Sequence, residues 1–249
     1  MEPIYEGLTN LALSLARAKK VKRVLIGLTF TFAEVERTGC GIAYTPGDIL
    51  KDCCELYEGS FWREPADLLV KKYLSFDTLE STVALAVINS LLNNRKDIVK
   101  DLTEEDPLKI VELSTDDEIL MVGHFEPIFK KLERRVGRIW LLEKDDMEEG
   151  LKAIKDKGRI SLAIVTSATL ANKTFHRYIP ILERIPEVIL MGPSTPIAPE
   201  VFKFSPVTWL SGVIIKDGEL VFKLICEGKG ARALFKAGAL QKVNLRIKK

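Results

Sequence analysis

Ser161-Leu162-Ala163-Ile164-Val165, followed at once by Thr166-Ser167-Ala168-Thr169-Leu170-Ala171-Asn172-Lys173-Thr174, is the stretch that decides the fold. A short run that is apolar throughout its centre is what a strand covered on both faces must look like, and the hydroxyl-rich residues after it are suited to open a helix. Working outward, the same pattern recurs at Glu118 to Val122, Arg138 to Leu142 and Glu187 to Met191. Helical periodicity fills the gaps around Ile128 to Arg135, Met147 to Lys157 and Phe175 to Arg184. The simplest chain path is βαβαβαβ with right-handed crossovers, which makes a Rossmann-like parallel sheet. Residues 207–226 add apolar strands broken by Asp217-Gly218, and these predict an antiparallel hairpin completing the sheet edge.

The first hundred residues read differently. Ile4, Leu8, Leu11 and Leu15 lie at helical spacing with charges opposite and no small-residue cleavage site after them, which predicts a folded helix rather than a signal peptide. Val21 to Phe32 reads as one strand, Thr38-Gly39-Cys40-Gly41 as a turn and Ile42 to Tyr44 as its hairpin partner. Helical patterns follow at Asp67 to Tyr73 and Leu79 to Leu92, with Asp77 and Glu80 spaced as a capping box. The polar stretch from Asn93 to Pro107, where Thr103 can cap a helix opened by Glu104, Glu105 and Asp106, marks a boundary. The expected organisation is therefore a smaller α+β domain over residues 1–103 and a Rossmann-like ligand-binding domain over 104–249.

Composition narrows the function classes. Apolar residues make up 47% and charged residues 29%, ordinary globular chemistry with a Lys/Glu-rich surface of the kind found in heat-adapted proteins. A net charge of +2 gives no field to hold a polyanion, so nucleic acid is not an expected partner; the basic end at Arg246, Lys248 and Lys249 reads as a solvated tail. No apolar run is long enough to span a bilayer. Cys40, Cys53, Cys54 and Cys226 have neither CxxC spacing nor the density of a secreted scaffold, so the expected location is the cytoplasm. The sequence leaves self-association into a homo-oligomer open.

In an open parallel sheet the ligand crevice lies beyond the carboxyl ends of the strands. Gly123-His124-Phe125-Glu126-Pro127, Glu143, the Thr166 to Thr174 segment and Gly192-Pro193-Ser194-Thr195-Pro196 should all open on that edge. Gly123 permits a tight turn, but one glycine is not a dinucleotide fingerprint, and it reads equally as a plain turn residue. Glu143 stands about 20 residues further on, at the place where Rossmann proteins put a ribose-binding carboxylate, and a solvated loop explains it as well. Capping accounts for one or two of Thr166, Ser167, Thr169, Asn172 and Thr174; the density of neutral donors and acceptors points to ligand contact for others. Ser194 and Thr195 sit between Pro193 and Pro196, which hold both hydroxyls in place whether for a ligand or for a structural turn. Glu126 and Glu143 are the candidate acid/base carboxylates.

Other chemistry is missing. There is no GxSxG elbow, P-loop or glycine-rich methyltransferase loop. His124 and His176 are the only histidines, and no Cys/His cluster has metal-ligand spacing. His124-Phe125-Glu126 has the H-x-E order of zinc deaminases without their PCxxC partner.

Gly123-His124-Phe125, then Thr166 to Thr174, then Leu190-Met191-Gly192-Pro193-Ser194-Thr195-Pro196, together with Val87-Ile88-Asn89 and Gly27-Leu28-Thr29, resemble the heavy-metal-chelation family of unknown function over nearly the whole chain. The chain departs from that family's glycine preference at Ser167 and Lys173. The resemblance implies an enolase N-terminal-like domain followed by a Rossmann-like one, a site in the cleft between them, and a place for Asn89 in that site. It implies handling of pterin-, flavin- or siderophore-like metabolites by condensation or hydrolysis, or of metal chelates. The expectations are thus an enzyme acting on a small polar or heteroaromatic metabolite, a non-catalytic protein binding a metal chelate, or, by fold analogy alone, a nucleotide- or S-adenosylmethionine-binding enzyme. No cofactor is specified by the residues.

Overall fold

The structure is a computed structural model that describes residues 3–50, 59–143, 154 and 160–248. The predicted helix at Met147 to Lys157 and the Cys53-Cys54 pair lie outside the described residues, apart from Ile154. Helix α1 (Pro3–Ala16) buries Ile4, Tyr5, Leu8, Ala12 and Ala16 on one face. It leads into an antiparallel meander of β1 (Val21–Ile26), β2 (Phe30–Val35) and β3 (Gly39–Tyr44) in the order β1-β2-β3. The single strand expected over Val21 to Phe32 is therefore two. Its apolar run hides a reversal at Gly27-Leu28-Thr29, closed by Gly27 N donating to Phe30 O at 3.0 Å. A side chain at Gly27 would collide with Ile225, so the turn residue is set by what packs behind it.

Helix α2 (Ala66–Lys71) and a following 3₁₀ turn precede α3 (Thr78–Leu92), buried from Ser81 to Leu92. Asp77 caps α3 by accepting from Glu80 N at 2.7 Å. Glu80 does not close the box but pairs with Lys72. Helix α3 lies directly on the main chain of β3: a Cβ on Gly41 would sit 2.2 Å from Ser90 N and 2.3 Å from Ala86 O. Only glycine allows so close an approach.

Beyond two single-turn helices, α4 (Lys96–Val99) and α5 (Pro107–Ile110), comes the six-stranded sheet. The cap of α5 is Asp106, which accepts from Leu108 N at 3.2 Å. Thr103, expected as the cap, instead exchanges main-chain hydrogen bonds with Asn244 and receives Glu105 N on its hydroxyl. Strands β4 (Glu118–Val122), β5 (Arg138–Leu142), β6 (Ile160–Thr166) and β7 (Glu187–Met191) are parallel, as read, and α6 (Glu126–Leu132), α7 (Ala168–Ala171) and α8 (Phe175–Leu182) are described between them. Then, after α9 (Pro199–Phe202), β8 (Trp209–Ile215) continues the parallel set. The hairpin expected over 207–226 does not form. Asp217 is the N-cap of α10 (Gly218–Cys226), accepting from Leu220 N at 2.9 Å, and the antiparallel partner of β8 is β9 (Leu240–Arg246), reached after α11 (Ala231–Lys236). The sheet order is β5-β4-β6-β7-β8-β9.

Both faces of that sheet are covered, and alternation shows it. Leu120, Val122, Ala163, Val165, Val188 and Leu190 belong to a core that runs on without a break into α1, α3 and the meander. Ile119, Met121, Leu162, Ile164, Ile189 and Met191 face a second core with α6. A third lies between the meander and α10 and α11. Each fully buried aliphatic side chain stabilises by about 1.5–3 kcal/mol, so the continuous core binds the N-terminal sheet firmly to the tips of the larger one.

Candidate functional site

The carboxyl ends of β4, β6 and β7 meet in one place, alongside the middle of β8. At β4 the chain turns through Gly123, whose φ of +80° suits glycine and whose N donates to Leu142 O at 2.8 Å. A Cβ there would lie 2.7 Å from Thr166 Cγ2 at the end of β6. Ser167 N reaches across to Met191 O at 2.7 Å, and Gly192, with φ +134°, would carry a Cβ 2.6 Å from Ser167 Oγ. Gly192 N in turn donates to Ser211 O on β8 at 2.9 Å. Residues read from distant stretches of sequence thus touch, and both glycines are required because the neighbouring tip occupies the space of a side chain.

Around this point the predicted residues divide into an accessible rim and a sealed seam. On the rim are Gly123, His124, Phe125, Glu126, Glu143, Thr166, Asn172, Thr174 and Gly192, all partly or fully exposed. His124 Nε2 lies 3.0 Å from Glu126 Oε2, and its ring stands edge-on to Phe129. The hydrogen bond and charge of Lys130, 2.6 Å from Glu126 Oε1, hold the Glu126 carboxyl below the usual range. Phe125 packs partly into the second core, and Glu143 stands exposed past the end of the edge strand β5. Asn172 Oδ1 accepts from Thr174 Oγ1 at 2.7 Å and from Thr174 N at 3.3 Å, an Asx turn that sets the entry to α8.

Lys173, between them, takes φ +53°. That left-handed conformation is the physical reason a glycine suits this position. Its ammonium reaches Ser75 O and lies 5.5 Å from the Tyr73 ring, and burial pushes its pKa down.

The seam holds the others. Asn89, 1% exposed on α3, donates from Nδ2 to Ile42 O at 2.8 Å and to Ser194 O at 3.0 Å. Ser194 Oγ accepts from Tyr44 N at 2.6 Å. Thr169 Oγ1 donates back to Thr166 O at 2.6 Å, and Thr195 is wholly buried. The Ser194 hydroxyl and the Asn89 amide act between protein groups, fixing the proline-bounded loop to β3 and α3, whereas the Thr169 hydroxyl closes on its own turn and Thr195 Oγ1 has no hydrogen-bond partner among the described residues. Asn93, which the sequence showed only as the start of a polar stretch, does as much: it donates to Thr195 O at 3.0 Å and Val213 O at 3.3 Å and accepts from Ile197 N at 2.8 Å. Arg95 adds a two-pronged pair with Glu200, at 2.6 and 3.1 Å. No spacing rule singles out an asparagine whose partners are all main-chain atoms 100 residues away.

Whether a bare heavy-metal ion suits these residues is a matter of donor chemistry. Soft metals select thiolate and imidazole. Among the described residues no three His, Cys, Asp or Glu side chains gather as a metal site. Burial pushes the Cys40 thiol up to about 12, so it is not a thiolate at neutral pH, and Cys226 is exposed at the end of α10. The rim offers hydroxyls, one amide, one imidazole already paired with a carboxylate, and the single exposed carboxylate of Glu143. That set fits the oxygen and nitrogen atoms of an organic molecule and does not fit a naked soft ion.

Comparison with known proteins places the chain. Residues 106–244 match the family model DUF364, described as "Putative heavy-metal chelation", and residues 9–92 match DUF4213, which carries the same description. Among solved structures, a DUF364-family protein of unknown function from Pyrococcus horikoshii is similar with a TM-score of 0.79 and 17% identity, over 98% of this chain and 100% of that one. A second, from Desulfitobacterium hafniense DCB-2 and also of unknown function, has a TM-score of 0.74 and 19% identity over 97% and 99%. At such identity these likenesses concern the fold. No curated protein matches the chain. Among the described residues no helix is long and apolar enough to cross a membrane.

Proposed function

Since the chain belongs to the DUF364 family, whose description is "Putative heavy-metal chelation", we propose that it binds a small polar organic molecule of chelator type, free or carrying its metal, on the strand-tip rim. The observation that carries this reading is the convergence of Gly123, Thr166 and Gly192 at adjacent tips, where side-chain-free main chain borders an exposed row of hydroxyl, amide and imidazole groups. Such a surface meets a heteroaromatic or chelating ligand with hydrogen bonds to backbone and neutral side chains, the usual means by which small-molecule sites fix orientation. The metal, in this reading, arrives as cargo held by its own organic ligand. The division of the protein into residues 1–103 and 104–249 belongs to the same proposal: the first unit buttresses the tips through Asn89 and Asn93, and the second supplies the rim.

One observation favours turnover as a second reading. The His124 and Glu126 side chains form an imidazole–carboxylate pair at 3.0 Å on the rim, and Glu126 is held ionised. Such a carboxylate orients the ring, and an oriented imidazole suits proton transfer in a hydrolysis or condensation step. Among the described residues Glu143, just past the end of the neighbouring strand β5, is a further candidate carboxylate for that work.

Calorimetric titration with a pterin, a flavin precursor and a ferric siderophore-type chelate, beside the same metals as simple salts, tests both readings. One of the organic ligands is expected to bind, with about tenfold loss in Thr166→Val or His124→Ala, the cost of one hydrogen bond to a polar ligand. Tight binding of simple metal salts with no response to any organic ligand defeats the proposal. If turnover occurs, His124→Ala abolishes it while leaving more of the binding intact.

A further inference from the structure

A cavity of about 400 Å³ opens on the flank of the molecule between the start of α1, helix α8 and the chain joining α9 to β8. None of the strand-tip residues lines it. Its floor is apolar: Ile4, Phe175, Leu182 and Ile185 are all nearly or fully buried. On one wall His176 Nδ1 lies 3.3 Å from the Tyr5 hydroxyl with the two rings edge to face, which fixes the imidazole from the opposite helix. Among the described residues two charges stand on the rim, Glu183 and Lys203. Both are exposed, and among the described residues neither is paired with an opposite charge. Lys203 lies 4.8 Å from the ring of Phe204, an aromatic residue left 86% exposed beside the opening.

We propose that this cavity binds a free amino acid with a large apolar side chain, its ammonium toward Glu183, its carboxylate toward Lys203 and its side chain over the floor. The charges choose the class. A neutral apolar ligand leaves both unused, a simple acid meets Glu183 and a simple amine meets Lys203, each with its own sign; a zwitterion matches both. The volume lies within the range of about 300–1,000 Å³ typical of small-molecule sites and holds an aromatic or branched aliphatic side chain. Because α1 belongs to the N-terminal half and α8 to the C-terminal half, the occupant touches both. The proposal is independent of the strand-tip ligand.

The test compares L-phenylalanine with 3-phenylpropanoate, which lacks the ammonium, and 2-phenylethylamine, which lacks the carboxylate. Binding is followed by NMR shifts of the full chain. The amino acid is expected to perturb residues 3–5, 175–185 and 203–206, and to bind at least about fivefold more tightly than either analogue. Glu183→Lys and Lys203→Glu, both at exposed positions, are each expected to weaken it by about fivefold or more without changing the melting temperature. Equal binding of all three compounds, perturbations confined to other residues, or no binding of the amino acid up to about 10 mM would each overturn the assignment.

Discussion

Gly41 and Asn89 show how single positions hold the site. With Ser90 N and Ala86 O within 2.3 Å of where a Cβ would go, Gly41→Ala forces α3 away from β3. A loss of about 3 kcal/mol or more in urea denaturation is expected, and a loss under about 1 would mean that the helix does not sit on this strand. Asn89→Leu removes the donor that two buried carbonyls share and is expected to cost about 2–4 kcal/mol. Asp106 makes a pH-dependent contribution. Burial raises its pKa, but Lys242, the Leu108 amide and Lys131 outweigh burial, so the folded value lies below the unfolded one. Its stabilisation is therefore complete above the unfolded value near about 4 and is lost as pH falls through the lower folded value. Urea midpoints of the wild type and Asp106→Asn should differ at about pH 7 and converge toward about pH 2; a constant gap would show that the charge plays no part.

Among the elements, α10 is the instructive one. Asp217-Gly218 between apolar runs reads as a hairpin turn, yet the same dipeptide caps a helix, and Leu220, Val221, Leu224 and Ile225 have the spacing of a helical face against the meander. Asp217→Ala is expected to destabilise by about 1 kcal/mol, measured by thermal or urea unfolding, with no change in the strand-tip residues. The parallel strands β4, β6 and β7 were legible because burial on both faces leaves a continuous apolar run, and β5 carries a similar run at the sheet edge with Leu141 exposed. The β1–β2 reversal was not, because Ile26 and Leu28 flank it with apolar side chains exposed to solvent. The rim was legible for the same reason as the strands, since it lies where apolar runs stop. The seating of Ser194 and Asn89 was not, because a hydroxyl or amide that bonds the main chain of its own protein has the same composition as one that faces a ligand.

For the molecule entire, the continuous core joining α1, α3 and the meander to the large sheet predicts one cooperative unfolding transition. Calorimetric and van't Hoff enthalpies should agree, and two resolved transitions would mean that the halves hold themselves up separately. The attachment of the halves has a further consequence. Asn89 and Asn93 grip Ile42, Ser194, Thr195, Ile197 and Val213 only through main-chain oxygen or nitrogen. A grip on the backbone is blind to side-chain identity, so the asparagines themselves place no demand on those side chains, which are held instead by burial and, at Ser194, by the hydroxyl that receives Tyr44 N. Chimaeras that graft the front half of one distant homologue onto the back half of another should then assemble wherever both asparagines and the volume of the shared core are kept.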